Sequence, residues 1–374
     1  MTILNNAIEI AQEAELRKKE IEERRNVPTD IIDKVKAAGL VKMWATKLCG
    51  GTETPVSEVS KVIASMAEYN GSLAWITAVT NCSSLMTGFI SEDMASTLFE
   101  HPMSMVGGFA GPSGIATIDN ESLSVSGHWS WGSGISHSTH IVGGVLLKDG
   151  ETTKGTALVF FKPDQIEMLD NWHVLGLKGT DSVDYHTKNC TIEKGNWAPF
   201  PVTIATHKSP LYQFSFLGAL SVSVASVSVG LATRAVKELK QMAKTKKPFG
   251  QGKPLSLRSN FQEHFGKLYA RLTATQLYLN QAIKNLEDQI SAGNTSVESK
   301  ADIRLATTYC TESAADIVKT CYQLAGGSAI WQSNKLEELM RDCHVVTQHG
   351  MVNNSNYRTG GAVHLGQDVP VVML

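Results

Sequence analysis

Histidine side chains are the first candidates for chemistry in this chain. The pairs His137-x-x-His140 and His344-x4-His349 have spacings that could suggest metal ligands. Neither pair has acids or thiols nearby in a known ligand pattern, and Cys343, beside His344, points to a different side of a helix. We therefore expect no metal site, and we assign structural roles to His137, His140 and His344.

Motifs for nucleotide binding and acyl transfer are absent. No G-x-G-x-x-G follows a strand and opens a helix, no G-x-x-x-x-G-K-[ST] occurs, and there is no G-x-S-x-G elbow. A Rossmann fold, a P-loop and a serine hydrolase are therefore not indicated.

The elements that must position the functional residues follow the order helical, β, helical. Helical spacing with caps dominates residues 1–103, glycine-interrupted runs of Val, Ile, Thr and Trp occupy 104–203, and helical patterns return in 204–374. We predict a mostly α protein with a central β domain, an antiparallel barrel or sandwich, followed by a C-terminal four-helix bundle. The predicted strands are Leu123 to Trp131, His140 to Leu147, Thr156 to Phe161 and Val183 to Ile192.

One segment of the last region is ambiguous. Residues 221–229 alternate Ser and Val in two short runs, a pattern that by propensity alone indicates a strand. The surrounding region is helical, so we predict a buried helix. The uncharged run 209–233 is long enough to span a bilayer, but it contains Pro210, Gln213 and six serines, which favours a buried helix over a membrane span.

Composition excludes several classes of protein. With 374 residues, 42% of them hydrophobic and 19% charged, the chain can bury a large core and is not disordered. A net charge of −2 gives no general attraction for nucleic acid or an anionic membrane. The six cysteines form no C-x-x-C pair and the N-terminal segment has no basic address, so we expect reduced thiols and a cytoplasmic protein.

Five short motifs occur in one order along the chain. Together they resemble the acyl-CoA dehydrogenase superfamily over nearly the whole length, and the resemblance implies an acyl-CoA dehydrogenase-like fold. The motifs are Gly127-x-x-x-Trp131-x-Ser133, Trp172-x-x-x-Gly176-Leu177-x-Gly179-Thr180-x-Ser182, Lys246-Lys247-Pro248-Phe249-Gly250, Gln323-Leu324-Ala325-Gly326-Gly327 and Arg341-Asp342.

Departures from the family pattern indicate the branch. A dehydrogenase needs a carboxylate base, which commonly follows the R-D pair, but the same offset from Arg341 gives His349 here. The alternative position also lacks an acid, because no Asp or Glu occurs from residue 208 to residue 237. R-D-x-H-x-x-x-Q-H instead resembles flavin-dependent monooxygenases of the same fold. These are two-component enzymes that receive reduced flavin from a separate flavin reductase.

The resemblance also implies roles for individual residues. Ser133 would lie beside flavin N5 and protect a C4a-hydroperoxide formed from reduced flavin and O₂, while Trp129 and Trp131 exclude water. His349 would deprotonate or orient the substrate at neutral pH, and Trp75 would line the substrate pocket. The implied flavin-binding residues are Trp131, Ser133, Lys246, Phe249, Gln323, Gly326 and Gly327.

Simpler structural roles remain possible for three of these residues. Ser133 could be an ordinary strand hydroxyl, His349 a cap at a helix C-terminus, and Trp75 a core residue. Lys246 replaces a family arginine, and a lysine is a point charge rather than a fork, so we expect a loosely held FMN or FAD, used as FMNH₂ or FADH₂. In the family, the segment that Gln323, Gly326 and Gly327 match often reaches a flavin held by a neighbouring subunit, so the resemblance implies a homotetramer.

The substrate is not encoded in any motif. We expect a small aromatic compound of the phenol or indole type, hydroxylated with O₂. The alternatives are an N- or S-oxygenase of the same fold, an acyl-CoA dehydrogenase with an unrecognised base, and a protein that only binds a ligand.

Overall fold

Helices account for the first and last parts of the chain. The computed structural model describes residues 2–201, 204–250, 252–370 and 374. Six α-helices precede the strands in this described part, and five follow them. They are α1 (Ile3–Leu16), α2 (Lys18–Arg24), α3 (Thr29–Ala37), α4 (Val56–Ala67), α5 (Gly71–Leu85), α6 (Glu92–Phe99), α7 (Phe216–Thr245), α8 (Ser259–Ser291), α9 (Val297–Ala325), α10 (Lys335–Val346) and α11 (Ser355–His364).

The strands lie between α6 and α7 and form one sheet, which confirms a mostly α protein with a central β region. The sheet order is β5-β6-β2-β1-β3-β4-β7. The strands are β1 (Val106–Asp119), β2 (Ser122–Gly132), β3 (His140–Asp149), β4 (Thr152–Phe161), β5 (Glu167–Met168), β6 (Val183–Ile192) and β7 (Trp197–Pro199). All four strands predicted from the sequence are present within a few residues.

The sheet differs from the expectation in one pairing and one strand. β1 and β3 pair in parallel, so a wholly antiparallel arrangement was wrong for this pair. β1 itself was not predicted because glycines interrupt it. The structure gives the reason for two of them: a Cβ on Gly114 would lie 2.4 Å from the Trp129 ring, and one on Gly108 would lie 2.1 Å from the Val142 carbonyl oxygen.

Contacts divide the chain into two compact units. The first comprises residues up to 55, 76–174 and 178–216, and the second comprises 56–75, 175–177 and the residues from 217 onward. The sheet belongs to the first unit, where Trp129, Tyr185 and Phe161 pack within one buried apolar cluster. The division into 1–103, 104–203 and 204–374 stays a prediction.

Helix α7 is the central buried element of the second unit. The alternating Ser and Val residues at 221–229 are helical and buried, as predicted. A helix can bury a serine whose hydroxyl finds an acceptor, as at Ser226: its Oγ donates to the Val222 carbonyl at 2.7 Å and lies 2.7 Å from Ser60 Oγ of α4. Among the described residues, α7 alone has the length and composition of a membrane span, and 78% of its most apolar window is buried.

Two glycines in helix interiors test the close packing of α7. A Cβ on Gly230 would lie 2.2 Å from the Ala64 carbonyl oxygen, whereas one on Gly266 of α8 meets no atom within 4 Å. We expect Gly230→Ala to lower the free energy of unfolding by about 2 kcal/mol through overpacking. Gly266→Ala should raise it by about 0.5 to 1 kcal/mol through helix propensity. Urea unfolding of both variants measures this, and equal effects would contradict the packing argument.

Candidate active site

The residues predicted to act on a cofactor or substrate fall into two groups, one in each unit. In the first unit, three hydroxyl side chains form a connected row. Ser133 Oγ lies 2.7 Å from Ser182 Oγ, which lies 2.8 Å from Thr180 Oγ1. All three residues are buried. Ser133 is therefore not an isolated strand hydroxyl, because its hydrogen bond is part of a row in which each hydroxyl can donate one bond and accept two.

The register of the sheet brings Ser133 and Ser182 of this row together. Strands β2 and β6 are antiparallel, with Gly132 opposite Val183. The residue after β2, Ser133, and the residue before β6, Ser182, must therefore be neighbours. Thr180 and Ser182 belong to the second β motif read from the sequence, so the signal for them was present even though the sequence analysis gave them no role.

The turn after β2 has an unusual backbone. Trp131 has a φ of 64°, in the left-handed region that non-glycine residues rarely adopt. The Ser133 N–H donates to the Trp131 carbonyl at 2.8 Å, and the Gly134 N–H donates to the Thr180 carbonyl at 3.2 Å. A tryptophan whose backbone is held in the left-handed conformation by such bonds is typical of a functional turn.

The two tryptophans of this motif have different environments. Trp131 is 63% exposed, with its ring centroid 5.8 Å from that of Phe109 at a tilt of 67°. Trp129 is fully buried, donates from Nε1 to the Gly144 carbonyl at 2.7 Å and stacks on Tyr185. The idea that both exclude water at the site therefore needs correction, because Trp129 is a core residue of the sheet.

In the second unit, His349 caps the start of a short 3₁₀ turn, Gly350–Val352. Its Nδ1 accepts the Met351 N–H at 3.2 Å. The cap is at the N-terminus of this turn, so the alternative role of a cap at a helix C-terminus is wrong. Because Nδ1 is the acceptor, the neutral ring carries its proton on Nε2 and presents a hydrogen-bond donor there.

Burial and a nearby cation keep His349 neutral. Desolvation, followed by repulsion from the Arg304 guanidinium, lowers the pKa of His349 to about 4. Arg304 is buried and donates to the Leu217 carbonyl at 3.2 Å and to Asn356 Oδ1 at 2.9 Å. Asn356 in turn donates to the Met351 carbonyl at 2.8 Å. The sequence analysis missed Arg304 and Asn356, because nothing in their spacing indicates a contact.

Trp75 and His349 are brought together by the fold. Their ring centroids are 5.4 Å apart at an angle of 71°, and Trp75 is almost fully buried. This contact is compatible with a pocket wall and with a core residue, so the role of Trp75 stays a prediction.

Four of the predicted flavin-binding residues of the second unit lie at or next to the C-terminal end of α9. Lys246 Nζ donates to the Ala325 carbonyl and to Ser328 Oγ, the latter at 2.7 Å. Partial burial lowers the Lys246 pKa. An ammonium group has three donors, so a third is left for an anion. The other members of this group, Gln323, Gly326 and Gly327, are exposed, as is the fifth predicted residue, Phe249.

These residues fit a flavin. Its ring has apolar faces and a polar edge, which an exposed Trp131 and a row of hydroxyls can satisfy in the first unit. In the second unit, Lys246 offers a cation for a phosphate. Of the histidines regarded as structural, His344 Nδ1 is 2.8 Å from the Met340 carbonyl, His140 is at the start of β3, and His137 Nε2 is 2.6 Å from Asn26 Oδ1.

Comparisons with known proteins define the class. The sequence profile described as "Acyl-CoA dehydrogenase, C-terminal domain" matches residues 222–354. The indole-3-acetate monooxygenase of Acinetobacter baumannii is 26% identical over 93% of this chain and 90% of its own. The solved structure of XiaF from Streptomyces sp. in complex with FADH2 and glycerol has a TM-score of 0.92, 19% identity and coverage of 98% and 96%.

TdsC from Paenibacillus sp., solved with FMN and indole, has a TM-score of 0.84 and 16% identity, with 100% of both chains covered. The acyl-CoA dehydrogenase fold and the resemblance stated from the sequence motifs are thereby confirmed. The chain is an oxidoreductase of the flavin-dependent monooxygenase class.

The neutral state of His349 generates a prediction about acid stability. Its folded pKa of about 4 lies below the ordinary 6.5, so between these pH values the unfolded chain binds more protons and stability falls as the pH drops. His349→Asn retains an oxygen that can accept the Met351 N–H but does not titrate. As the pH falls across this range, we expect the free energy of unfolding of this variant to decrease by up to about 3 kcal/mol less than that of the parent.

Urea unfolding across that pH range measures the effect, and His264→Asn on the exposed face of α8 is the matched control. Burial also lowers the pKa of His137 to about 4. His137 therefore contributes a similar loss of stability at low pH, which persists in every variant. If the free energy of unfolding depends on pH in the same way in His349→Asn and in the parent, the assignment of a neutral His349 is contradicted.

Proposed function

We propose that the chain is the oxygenase component of a two-component monooxygenase. It receives reduced FMN or FAD from a separate flavin reductase and uses O₂ to hydroxylate a small aromatic compound of the phenol or indole type. One observation carries this proposal. A neutral His349, with its proton on Nε2, stands at the position where dehydrogenases of this fold commonly have a carboxylate base.

The flavin-binding set remains the one predicted from the motifs. Trp131 and Ser133 of the first unit would hold the ring, and Lys246, Phe249, Gln323, Gly326 and Gly327 of the second unit would hold a phosphate-bearing end. When bound, reduced flavin supplies two electrons that allow O₂ to be divided between a hydroxyl group on the substrate and one water molecule. Without oxygen transfer, the same electrons and O₂ yield H₂O₂.

Ser133 is proposed to keep oxygen from being lost as H₂O₂. A buried hydroxyl whose orientation is set by Ser182 and Thr180 can donate a hydrogen bond in a fixed direction at the polar edge of the flavin. Trp131 contributes bulk that excludes water from the same place. The oxygen-activation route predicted from the sequence is part of this proposal.

His349 is proposed to orient the substrate rather than to remove a proton. A donor at Nε2 needs an acceptor, and a phenolic oxygen or the carboxylate of an indole-type acid offers one. An indole N–H would meet a second donor at this atom. The names of the similar proteins, an indole-3-acetate monooxygenase and TdsC solved with indole, support an aromatic substrate.

The dehydrogenase alternative finds no free base next to Arg341. Asp342 is buried, and its Oδ1 accepts the Leu177 N–H at 2.7 Å. Burial and the neighbouring Glu338 raise the pKa of Asp342 to about 7, but the carboxyl group is committed to joining residues 175–177 to α10. N- or S-oxygenation stays open and is decided by the product.

Assembly and location complete the proposal. Large apolar side chains are exposed on the second unit, including Tyr269, Leu277, Tyr309 and Trp331, which supports association into the predicted homotetramer. Analytical ultracentrifugation tests the oligomeric state.

All six cysteines are free thiols, which supports a cytoplasmic location.

The central test mixes the protein with chemically reduced FMN or FAD, O₂ and either p-hydroxyphenylacetate or indole-3-acetate as a probe. Hydroxylated product is expected with at least one probe. In Ser133→Ala, H₂O₂ should be released faster from reduced flavin and O₂, by roughly tenfold, because a buried hydrogen bond is lost. Ser124→Ala, within the preceding strand β2, is the control, and it should behave like the parent.

His349→Ala should fail at a different step. Without substrate it should release H₂O₂ at the parent rate, but with a probe it should form product more slowly, by roughly tenfold or more, because one oriented hydrogen bond is missing. If both variants lose oxygen control and thermal stability together, the two residues are structural and the site assignment is wrong.

The affinity of the protein for flavin tests the proposed role of Lys246 in flavin binding. We expect the parent to purify with little flavin and to bind the reduced form more tightly than the oxidised form. Lys246→Ala should weaken the binding of reduced flavin roughly tenfold, equivalent to about 1.4 kcal/mol for one charge-assisted contact. Lys244→Ala, exposed in the last turn of α7 just before Lys246, is the control and should leave affinity unchanged. Stoichiometric FAD surviving gel filtration of the parent would contradict loose binding.

A further inference from the structure

The hydroxyl row at Ser133 depends on two loops that only the sheet register and a few loop contacts hold side by side. One loop follows β2 and contains Ser133 and Gly134, and the other precedes β6 and contains Thr180 and Ser182. Hydrogen bonds of 2.7 and 2.8 Å connect their hydroxyls. Any group that fixes both loops therefore controls the direction in which Ser133 donates.

The side chain of Asn26 is bonded to both loops. Its Nδ2 donates to Ser136 Oγ of the first loop at 3.0 Å, and to Asp181 Oδ2 of the second loop, between Thr180 and Ser182, at 3.1 Å. Its Oδ1 lies 2.6 Å from His137 Nε2. The three contacts span sequence separations of 110, 155 and 111 residues.

The chemistry of the partners fixes the orientation of this amide. A carboxylate only accepts hydrogen bonds, so the atom of Asn26 that faces Asp181 must be the NH₂ group. The atom facing His137 is then the carbonyl oxygen, which accepts the His137 Nε2–H. Both amide protons and the carbonyl oxygen are thus used, and an aspartate at this position could not reproduce the donor.

The backbone around Asn26 completes the connection. Asn26 forms an antiparallel bridge with Thr180, and the Val27 N–H donates to the Gly179 carbonyl at 3.1 Å. Asp181 has a φ of 47°, a left-handed conformation that costs energy for a non-glycine residue unless its surroundings hold it. The bond from Asn26 holds this side chain in place.

We propose that Asn26 is a positioning residue for the reaction, holding the loops at 133–138 and 179–182 so that the hydroxyl row is aligned at Ser133. This inference rests on the proposed role of Ser133. Asn26 does not touch the reacting atoms, and it acts through Asp181, Ser136 and His137.

An exchange of the two side chains tests the proposal. Asn26→Asp puts a second carboxylate against Asp181 and removes the donor, so it should release H₂O₂ from reduced FMN and O₂ faster than the parent, roughly tenfold, as Ser133→Ala does. Asp181→Asn still offers an oxygen to Asn26 and should behave like the parent. The double variant Asn26→Asp/Asp181→Asn restores one donor and one acceptor and should return the rate to the parent value.

Two further measurements separate positioning from general stability. Combining Asn26→Asp with Ser133→Ala should add no further H₂O₂ release, because both changes act through the same hydroxyl. In the protein without flavin, amide hydrogen exchange at Gly134 and Val27 should speed up in Asn26→Asp and recover in the double exchange variant. Asn120→Asp, at the turn between β1 and β2, is the control and should change neither readout.

The outcomes distinguish this inference from the proposed function. If Ser133→Ala leaves H₂O₂ release unchanged, the role of Ser133 is wrong, whereas the exchange data still decide whether Asn26 holds the loops. If Ser133→Ala releases H₂O₂ faster but Asn26→Asp does not, the positioning role is overturned. Unchanged amide exchange in Asn26→Asp overturns it as well.

Discussion

The hydrogen bond between Ser133 and Ser182 is the contact on which the candidate site residues of the first unit depend. It joins residues 49 positions apart, and it forms because β2 ends where β6 begins. A slip of one residue in this pairing would turn one hydroxyl to the other face of the sheet and break the row. Trp131 and Asp181, near the point where both strands end, have left-handed backbone conformations, which are energetically unfavourable for non-glycine residues.

In the second unit, the corresponding constraint is the burial of a positive charge near a neutral ring. Arg304 donates to uncharged acceptors, namely the Leu217 carbonyl, Asn356 Oδ1 and Met351 Sδ, and it forms no ion pair within the described residues. Burial of the His349 ring, and after it the repulsion from this buried guanidinium, lower the pKa of His349, so the ring remains uncharged. The Met351 N–H then decides which ring nitrogen carries the proton. Charge state and tautomer are thus set by two contacts that do not involve a substrate.

The sequence predicted the parts of the fold that follow from local pattern. Strand β6 has the predicted limits, because residues 183–192 are bounded by clear turn residues. The buried α7 was inferred from context against its alternating pattern. Strand β1 was missed, because its glycines serve contacts with Trp129 and β3, which are distant in sequence. The motifs singled out Ser133 and His349, but they did not show that Ser133 follows the end of β2, that His349 caps the start of a 3₁₀ turn, or which hydrogen bonds the two residues form.

What could not be read from the sequence is the protonation of the site. An imidazole near its reference pKa could serve as a base, and the sequence alone left deprotonation and orientation of the substrate open. A buried ring whose Nδ1 is already an acceptor is a poor base, because protonation would cost the Met351 hydrogen bond as well as the burial of a charge. The hydroxyls of the first unit are likewise neutral. Neither group of residues supplies a carboxylate to begin a reaction by removing a proton, and both contain neutral groups, hydroxyls and an imidazole N–H, that can donate hydrogen bonds. Such donors suit a reaction in which an oxygen atom is transferred to a ring, since there the protein must hold acceptor atoms in place and keep water away.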